Sequence, residues 1–261
     1  MSVLRLRNLS LVLPLAFVLL LPHGARAAEL HLLAAGSVRP ILADWAAEYR
    51  RESGAEVRIT FGAMGPLKAK LNAGEPADVA ILTPVVIEEL AKAGKVRAET
   101  RVNLGRVGVG VAAKAGGARP DLSTPAAFRQ ALLAAPVLAY GDPKLTSSGA
   151  YFAQLLDQLG LAEQVRAKSR LLPDGYDVME FIAKGSGGEL GVTQISEVQA
   201  NAALGVQMIG PLPGDLQHYT VYAAVLTART AQPEAAQALI RALTAPPMRA
   251  RFAAGGFEPV P

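Results

Sequence analysis

The sequence predicts an α/β protein of two lobes, each a mainly parallel sheet flanked by helices. Three observations predict it. From Glu29 onward, short apolar runs alternate with stretches of helical spacing, the pattern of strands joined by crossover helices. Two longer strand-forming stretches, 106-RVGVGVAAK-114 and 218-HYTVYAAVLT-227, stand outside that alternation and read as the places where the chain crosses between lobes. The 261 residues are 51% hydrophobic, which supplies more than one compact core. The expected division is residues 28–105 with 217–261 in one lobe and 106–216 in the other.

Residues 1–27 read as a leader. Arg5 and Arg7 precede an almost wholly apolar run from Leu9 to Leu21, and Ala25-Arg26-Ala27 forms a small-residue cleavage site. That run is about 13 residues, against the roughly 20 needed to span a bilayer, so a signal peptide cleaved near Ala27 is expected rather than an anchor. No later apolar run is long enough to cross a membrane. The chain has no cysteine, which excludes disulfides, thiolate metal sites and a lipid anchor. Export without an anchor points to the periplasm. The formal charge is +4, but three arginines lie in the leader, and the remainder near +1 argues against a nucleic-acid partner.

The elements follow in order. ELHLLAA (29–35) is a strand ending at Gly36-Ser37, and Pro40 to Arg51 has helical spacing through Ile41, Leu42, Trp45 and Tyr49. EVRITFGA is a second strand, and Pro66 to Ala73 a helix closed by Gly74. DVAIL (78–82) is a third strand, followed by a helix from Pro84 with a stop at Gly94. Gly108-x-Gly110-x-x-Ala113 in the next strand is not a dinucleotide loop, because Gly116, Gly117 and Pro120 follow where a helix would be needed. Thr124 and Pro125 form an N-cap and first helical position. Strand PVLAY leads into 141-GDPKLTSSGAY-151 and a helix from about Ala150 to Leu159. A strand near Leu171, a helix from Tyr176 to Lys184, strands ELGVTQI and 218–227, and helices over 232–244 and 246–254 complete the chain.

Several strands run into a helix through small or hydroxylated residues: Gly36-Ser37, Gly62-Ala63-Met64-Gly65, Thr83, and Ser147-Ser148-Gly149. Taken singly, each is an ordinary cap. In an open sheet, however, these ends share the crevice at the carboxyl edge. Their unpaired N–H groups would then form an oxyanion site without a metal. Other chemistries lack their residues. His23, His31 and His218 are too scattered for a metal centre. Neither a G-x-S-x-G elbow nor a phosphate-loop lysine motif is present.

The order AAGSV, FGAMGPLKAKLNAGEPADVAIL, GDPKLTSSGAY and ELGVTQISE resembles the molybdate-binding proteins of ABC importers, through nearly all of the chain after the leader. The resemblance implies a type II periplasmic-binding-protein fold, two lobes around a hinged cleft. Ser37 falls on that family's first oxyanion-binding serine. The serine-rich second loop is Ala63-Met64-Gly65 here, the cleft tyrosine of the late strand is Gln194, and Pro-Ala before the glycine is Ser147-Ser148. These departures favour a larger ligand with an apolar part and planar carboxylates. Met64 would pack against carbon, while Thr83, Ser147, Ser148 and Gln194 contact oxygens. Arg39, Lys68 or Lys144 would add charge. Gly149 and Tyr176 complete the substrate-binding set, the latter at a helix start where the family offers a backbone N–H.

The chain is also similar to the periplasmic aconitate isomerases on the same scaffold. That similarity implies a cofactor-free, metal-free allylic proton shift between cis- and trans-aconitate. Tyr176, Asp177 and His218 are the candidate bases, and no motif selects among them. The alternative is a non-catalytic receptor that delivers a di- or tricarboxylate, or another oxyanion, to an ABC permease. Nothing requires more than a monomer.

Overall fold

The computed structural model describes residues 28–117 and 119–260; the leader expected over 1–27 lies outside them. β1 (Glu29–Ala35) ends in a short 3-10 turn, and the helix expected over 40–51 is broken into α1 (Arg39–Leu42) and α2 (Trp45–Ser53). β2 (Glu56–Gly62), α3 (Met64–Ala73), β3 (Val79–Leu82) and α4 (Pro84–Lys92) follow, α3 beginning two residues earlier than its proline suggested. β4 (Val96–Lys114) is about twice as long as the strand read from the sequence. After it come α5 (Pro125–Ala134), β5 (Leu138–Gly141), α6 (Ser147–Gln158), α7 (Ala162–Val165), β6 (Ser169–Leu172) and α8 (Gly175–Lys184). The chain closes with β7 (Leu190–Gln194), α9 (Ile195–Ala200), β8 (Val206–Pro211), β9 (Tyr219–Thr227), α10 (Pro233–Leu243), α11 (Pro246–Ala254) and β10 (Phe257–Glu258). No described helix is long and apolar enough to cross a membrane.

The strands run in the order β2-β1-β3-β9-β4-β7-β5-β6, with β8 and β10 also on β4. Pairing is parallel within β2-β1-β3 and within β7-β5-β6, and antiparallel wherever β4 or β9 takes part. The result is the expected α/β architecture. One apolar core gathers residues from Leu30 to Val107 and from Tyr222 to Phe257. The others are built from residues between Val109 and Leu212. β4 joins them by exchanging partners, β9 through Gly108 and then β7 and β8 from Val109 onward.

β9 does not cross, contrary to the sequence reading. It pairs only with β3 and the first part of β4, and the chain returns just before it. There the Gln217 side chain grips the backbone of Val109 at both ends. Its Oε1 accepts from the Val109 N–H at 3.1 Å, and its Nε2 donates to the Val109 carbonyl at 3.0 Å. This pair of hydrogen bonds pins the two connecting segments to each other.

The EPADVAIL motif finds its reason in Asp78. The buried carboxylate accepts from the His31 N–H at 2.9 Å and from Thr230 Oγ1 at 2.6 Å, tying β1 to the segment after β9. Its backbone continues the tie, donating to the His31 carbonyl and accepting from the Thr227 N–H. Asp78→Ala would strand two buried donors. We expect it to lower unfolding free energy by ~2–4 kcal/mol, read as a fall in denaturant midpoint with little change in slope. A shift below ~0.5 kcal/mol, the range of ordinary surface substitutions, would remove Asp78 from this role.

Candidate functional site

A cavity lies where the carboxyl ends of β1, β2, β5, β6 and β7 converge, as the strand-to-helix pattern anticipated. It is lined from one side by Gly36, Ser37, Ala63 and Met64, and from the other by Thr146, Ser147, Ser148, Gly175, Gln194 and Glu197, with Tyr222 between. Its free volume is about 20 Å³, room for little more than a water molecule. Anything larger enters only if the two sides part. What holds them together is visible: the Gly65 N–H at the start of α3 donates to the Leu145 carbonyl at 2.9 Å.

Helix α6 presents the open donors. Thr146, not Ser147, is its N-cap, accepting from the Gly149 N–H at 3.1 Å. The serines therefore occupy the first two helical positions, where N–H groups have no partner inside the helix. Ser148 is buried against the cavity, and its hydroxyl takes no partner among the described residues. Gly149 does not line the cavity. A Cβ there would lie 1.9 Å from the Gly141 carbonyl oxygen, so its bare backbone lets α6 close onto β5. Two of the other converging helices have first-turn N–H groups already taken. At α3 the Leu145 carbonyl takes the Gly65 N–H, and at α8 the Asp174 carboxylate accepts from both Tyr176 and Asp177 at 2.8 and 2.9 Å. The expected offer of the Tyr176 N–H to a ligand is thus corrected.

A hydrogen-bonded chain forms the floor. Ser37 Oγ lies 3.1 Å from Glu197 Oε1 and 3.0 Å from the Tyr222 hydroxyl. Thr193 donates to the far oxygen of Glu197, and Ser147 Oγ lies 3.4 Å from the Tyr222 hydroxyl. Glu197 is 6% exposed and Tyr222 1%. Burial pushes the Glu197 carboxyl above the usual range, with Asp174 adding to it and the Thr193 and Ser37 hydroxyls opposing. Burial first, and Glu197 second, push the Tyr222 phenol up to about 12. Gln194 gives Nε2 to Thr220 at 2.9 Å, and its Oε1 is buried without a partner.

The remaining candidates lie elsewhere. Thr83 precedes α4 without a side-chain capping bond and does not line the cavity. Arg39 and Tyr176 sit just behind it, the guanidinium 4.3 Å from the Tyr176 ring centroid and 5.4 Å from that of Phe61. Asp177 is off the cavity, and His218 stacks on Tyr151 at 4.3 Å in an exposed position. Lys68 pairs with Glu89, and Lys144 is exposed. Two residues were missed. Tyr222 supplies the buried phenol that the sequence reading considered lost at Gln194, and Glu197 stands in the first turn of α9, a helix absent from the sequence reading.

The comparisons match the fold that carries this site. Residues 30–258 fit the model of the bacterial extracellular solute-binding protein family. The chain belongs to that family. This solute-binding protein is 29% identical over 238 residues to an aconitate isomerase from a Pseudomonas species, covering 89% of this chain and 88% of that protein. It is 28% identical over 231 residues to the molybdate-binding protein ModA of Azotobacter vinelandii, covering 87% and 88%. The solved Azotobacter vinelandii periplasmic molybdate-binding protein matches with a TM-score of 0.72 at 21% identity, over 89% of this chain and 99% of that one. The sulfate-binding protein SubI of Mycobacterium tuberculosis gives 0.73 at 18%, over 89% and 87%. At these identities the solved structures establish the fold, and the resemblance read from the motifs holds.

Ser148→Ala removes a free donor from the cavity wall, and Arg39→Ala removes a cation behind it. With trans-aconitate as probe, calorimetry should show Ser148→Ala weakening binding about tenfold, from one lost hydrogen bond to a charged group. Arg39→Ala should cost less, and a larger loss would put the guanidinium in direct contact with the anion.

Proposed function

We propose that this chain is a periplasmic isomerase of a small polycarboxylate. It would interconvert cis- and trans-aconitate by an allylic proton shift, without metal or cofactor, in the cleft between a lobe of residues 28–105 plus 217–261 and a lobe of 106–216. The observation that carries the proposal is the chain Thr193–Glu197–Ser37–Tyr222–Ser147 lining the cavity. A passive oxyanion site needs donors alone. Here a buried carboxyl is built into the wall with hydroxyl groups on both its oxygens, the equipment for taking up and returning a proton. Hydroxyl and N–H donors at the start of α6 suit the negative charge that develops on a substrate carboxylate as the allylic proton leaves. The Pseudomonas aconitate isomerase among the relatives supports the same reaction.

A second reading keeps the cleft and drops the chemistry: a receptor that hands a carboxylate or other oxyanion to an ABC permease. It is favoured by the unpartnered Ser148 hydroxyl at the α6 N-terminus, a binding feature that needs no proton transfer, and by the molybdate-binding relatives. One assay separates the two. The purified chain from Ala28 onward is incubated with trans-aconitate in chelator-treated buffer, and the cis isomer is followed by proton NMR. The isomerase reading expects the same cis/trans equilibrium from either side. A rise in melting temperature without turnover would instead identify a receptor.

A further inference from the structure

We infer that Glu197 is the catalytic residue that carries the proton, removing it from the allylic carbon of the bound polycarboxylate and returning it to the carbon two positions away. This rests on the isomerase reading above. Among the described residues, two carboxyls line the cavity, Asp174 and Glu197, and no described salt bridge includes either; Asp174 is committed to the Tyr176 and Asp177 N–H groups as the cap of α8, which leaves Glu197 for the chemistry. Room is made for it. A Cβ on Gly175 would lie 1.9 Å from Glu197 Oε2, so the carboxyl occupies the space a side chain would take at the start of α8. Ser37 holds Oε1 at 3.1 Å on the cavity side, and Thr193 holds Oε2 behind it.

The groups that face Glu197 set its behaviour. Asp174 and Tyr176 approach from the start of α8 and Tyr222 from β9, and Arg39 is screened behind the Tyr176 ring. None is a cation in contact with it, so the carboxyl is pushed up, first by burial. A carboxylate of raised pKa is a stronger base than an ordinary one. The Tyr222 phenol, at about 12, stays protonated at neutral pH and serves as a donor rather than a base. Asp177 and His218 do not reach the cavity wall.

The step balances within the substrate and one side chain. A Glu197 oxygen forms an O–H bond as the allylic C–H bond breaks, and the electron pair spreads into a dienolate whose oxygen accepts hydrogen bonds from the serine and tyrosine hydroxyls. The O–H bond then breaks as a C–H bond forms at the far carbon, leaving the double bond moved by one position. No oxidant, reductant or net proton is needed.

The test uses the mature chain, trans-aconitate, and the variants Glu197→Gln and Glu197→Asp. Glu197→Gln should bind trans-aconitate within about threefold of wild type by calorimetry, while kcat falls by a factor on the order of 10²–10⁴. Wild-type kcat should rise with pH along one ionisation above the ordinary carboxylate range, because the base form does the work. Glu197→Asp should keep binding, lower kcat and shift that limb. An active wild type with Glu197→Gln kcat within tenfold of it would overturn the assignment alone, as would a loss confined to KM. An inactive wild type would overturn both the assignment and the isomerase reading. If Glu197→Gln fails to fold, Glu197→Asp and the wild-type profile decide, and a flat profile through that range counts against Glu197.

Discussion

A carboxyl group held out of water with no cation beside it is the constraint around which the cleft is arranged. Desolvating an unpaired carboxylate is expensive, so such a group either keeps its proton or gathers hydrogen-bond donors. Glu197 gathers donors, Ser37 and Thr193 at its two oxygens, and burial pushes its pKa up. The consequences spread outward. Gly175 must lack a side chain to admit the carboxyl. Ser37 comes from the end of β1, which belongs to the first core, while Glu197 is on α9, packed with the second set of cores. Their bond therefore bridges the two halves of the sheet at the floor of the cavity. It also carries a linkage. A folded-state pKa above the unfolded value favours folding below the unfolded pKa, and this contribution is lost as pH rises through the folded value.

The cleft is closed by bonds that a ligand would have to replace. The Gly65 N–H rests on the Leu145 carbonyl, and the Ser37 and Ser147 hydroxyls are spent on Glu197 and Tyr222. A cavity of about 20 Å³ admits no polycarboxylate in this state. The contacts across the cleft are few and polar, whereas the Gln217 grip on Val109 lies away from them, where the chain returns before β9. A ligand that satisfies the released donors restores what opening gave up. Its net affinity is the difference between its own bonds and the ones it displaces.

The fold was legible because alternation of apolar runs and helical spacing is a local signal. Turn chemistry was legible too: Thr124 caps α5 with Pro125 behind it, as read. What escaped depended on distant residues. The 96–105 half of β4 alternates weakly because much of that stretch is exposed, and its strand character comes from pairing with β9. In the site, Ser37, Ala63, Met64, Ser147, Ser148 and Gln194 were brought together by their positions at strand ends. Tyr222 and Glu197 were not found, because a tyrosine on an inward strand face has an ordinary structural use and Glu197 stands on a helix absent from the sequence reading. Only the fold reveals that they meet through Ser37. Conversely, the free N–H groups expected at every helix start were partly illusory, since Asp174 and Leu145 consume those of α8 and α3.

The charges on the cavity wall limit which anions the cleft suits. No lysine or arginine lines the cavity, and Asp174 and Glu197 both do. A compact tetrahedral dianion would need donors on all sides, yet Met64 fills one side with carbon and the Glu197 carboxyl another. In the proposed reading a polycarboxylate divides its demands. One carboxylate takes the Ser147 and Ser148 end of α6, where the first N–H groups and the Ser148 hydroxyl are open. Its carbon skeleton lies along Met64, and a second carboxylate is drawn by the field of Arg39, whose Nε is buried without a partner. That arrangement leaves a C–H group, rather than a charged oxygen, against Glu197. A buried acid that would repel a small dianion is tolerable there, and it is placed where a proton can be exchanged with carbon.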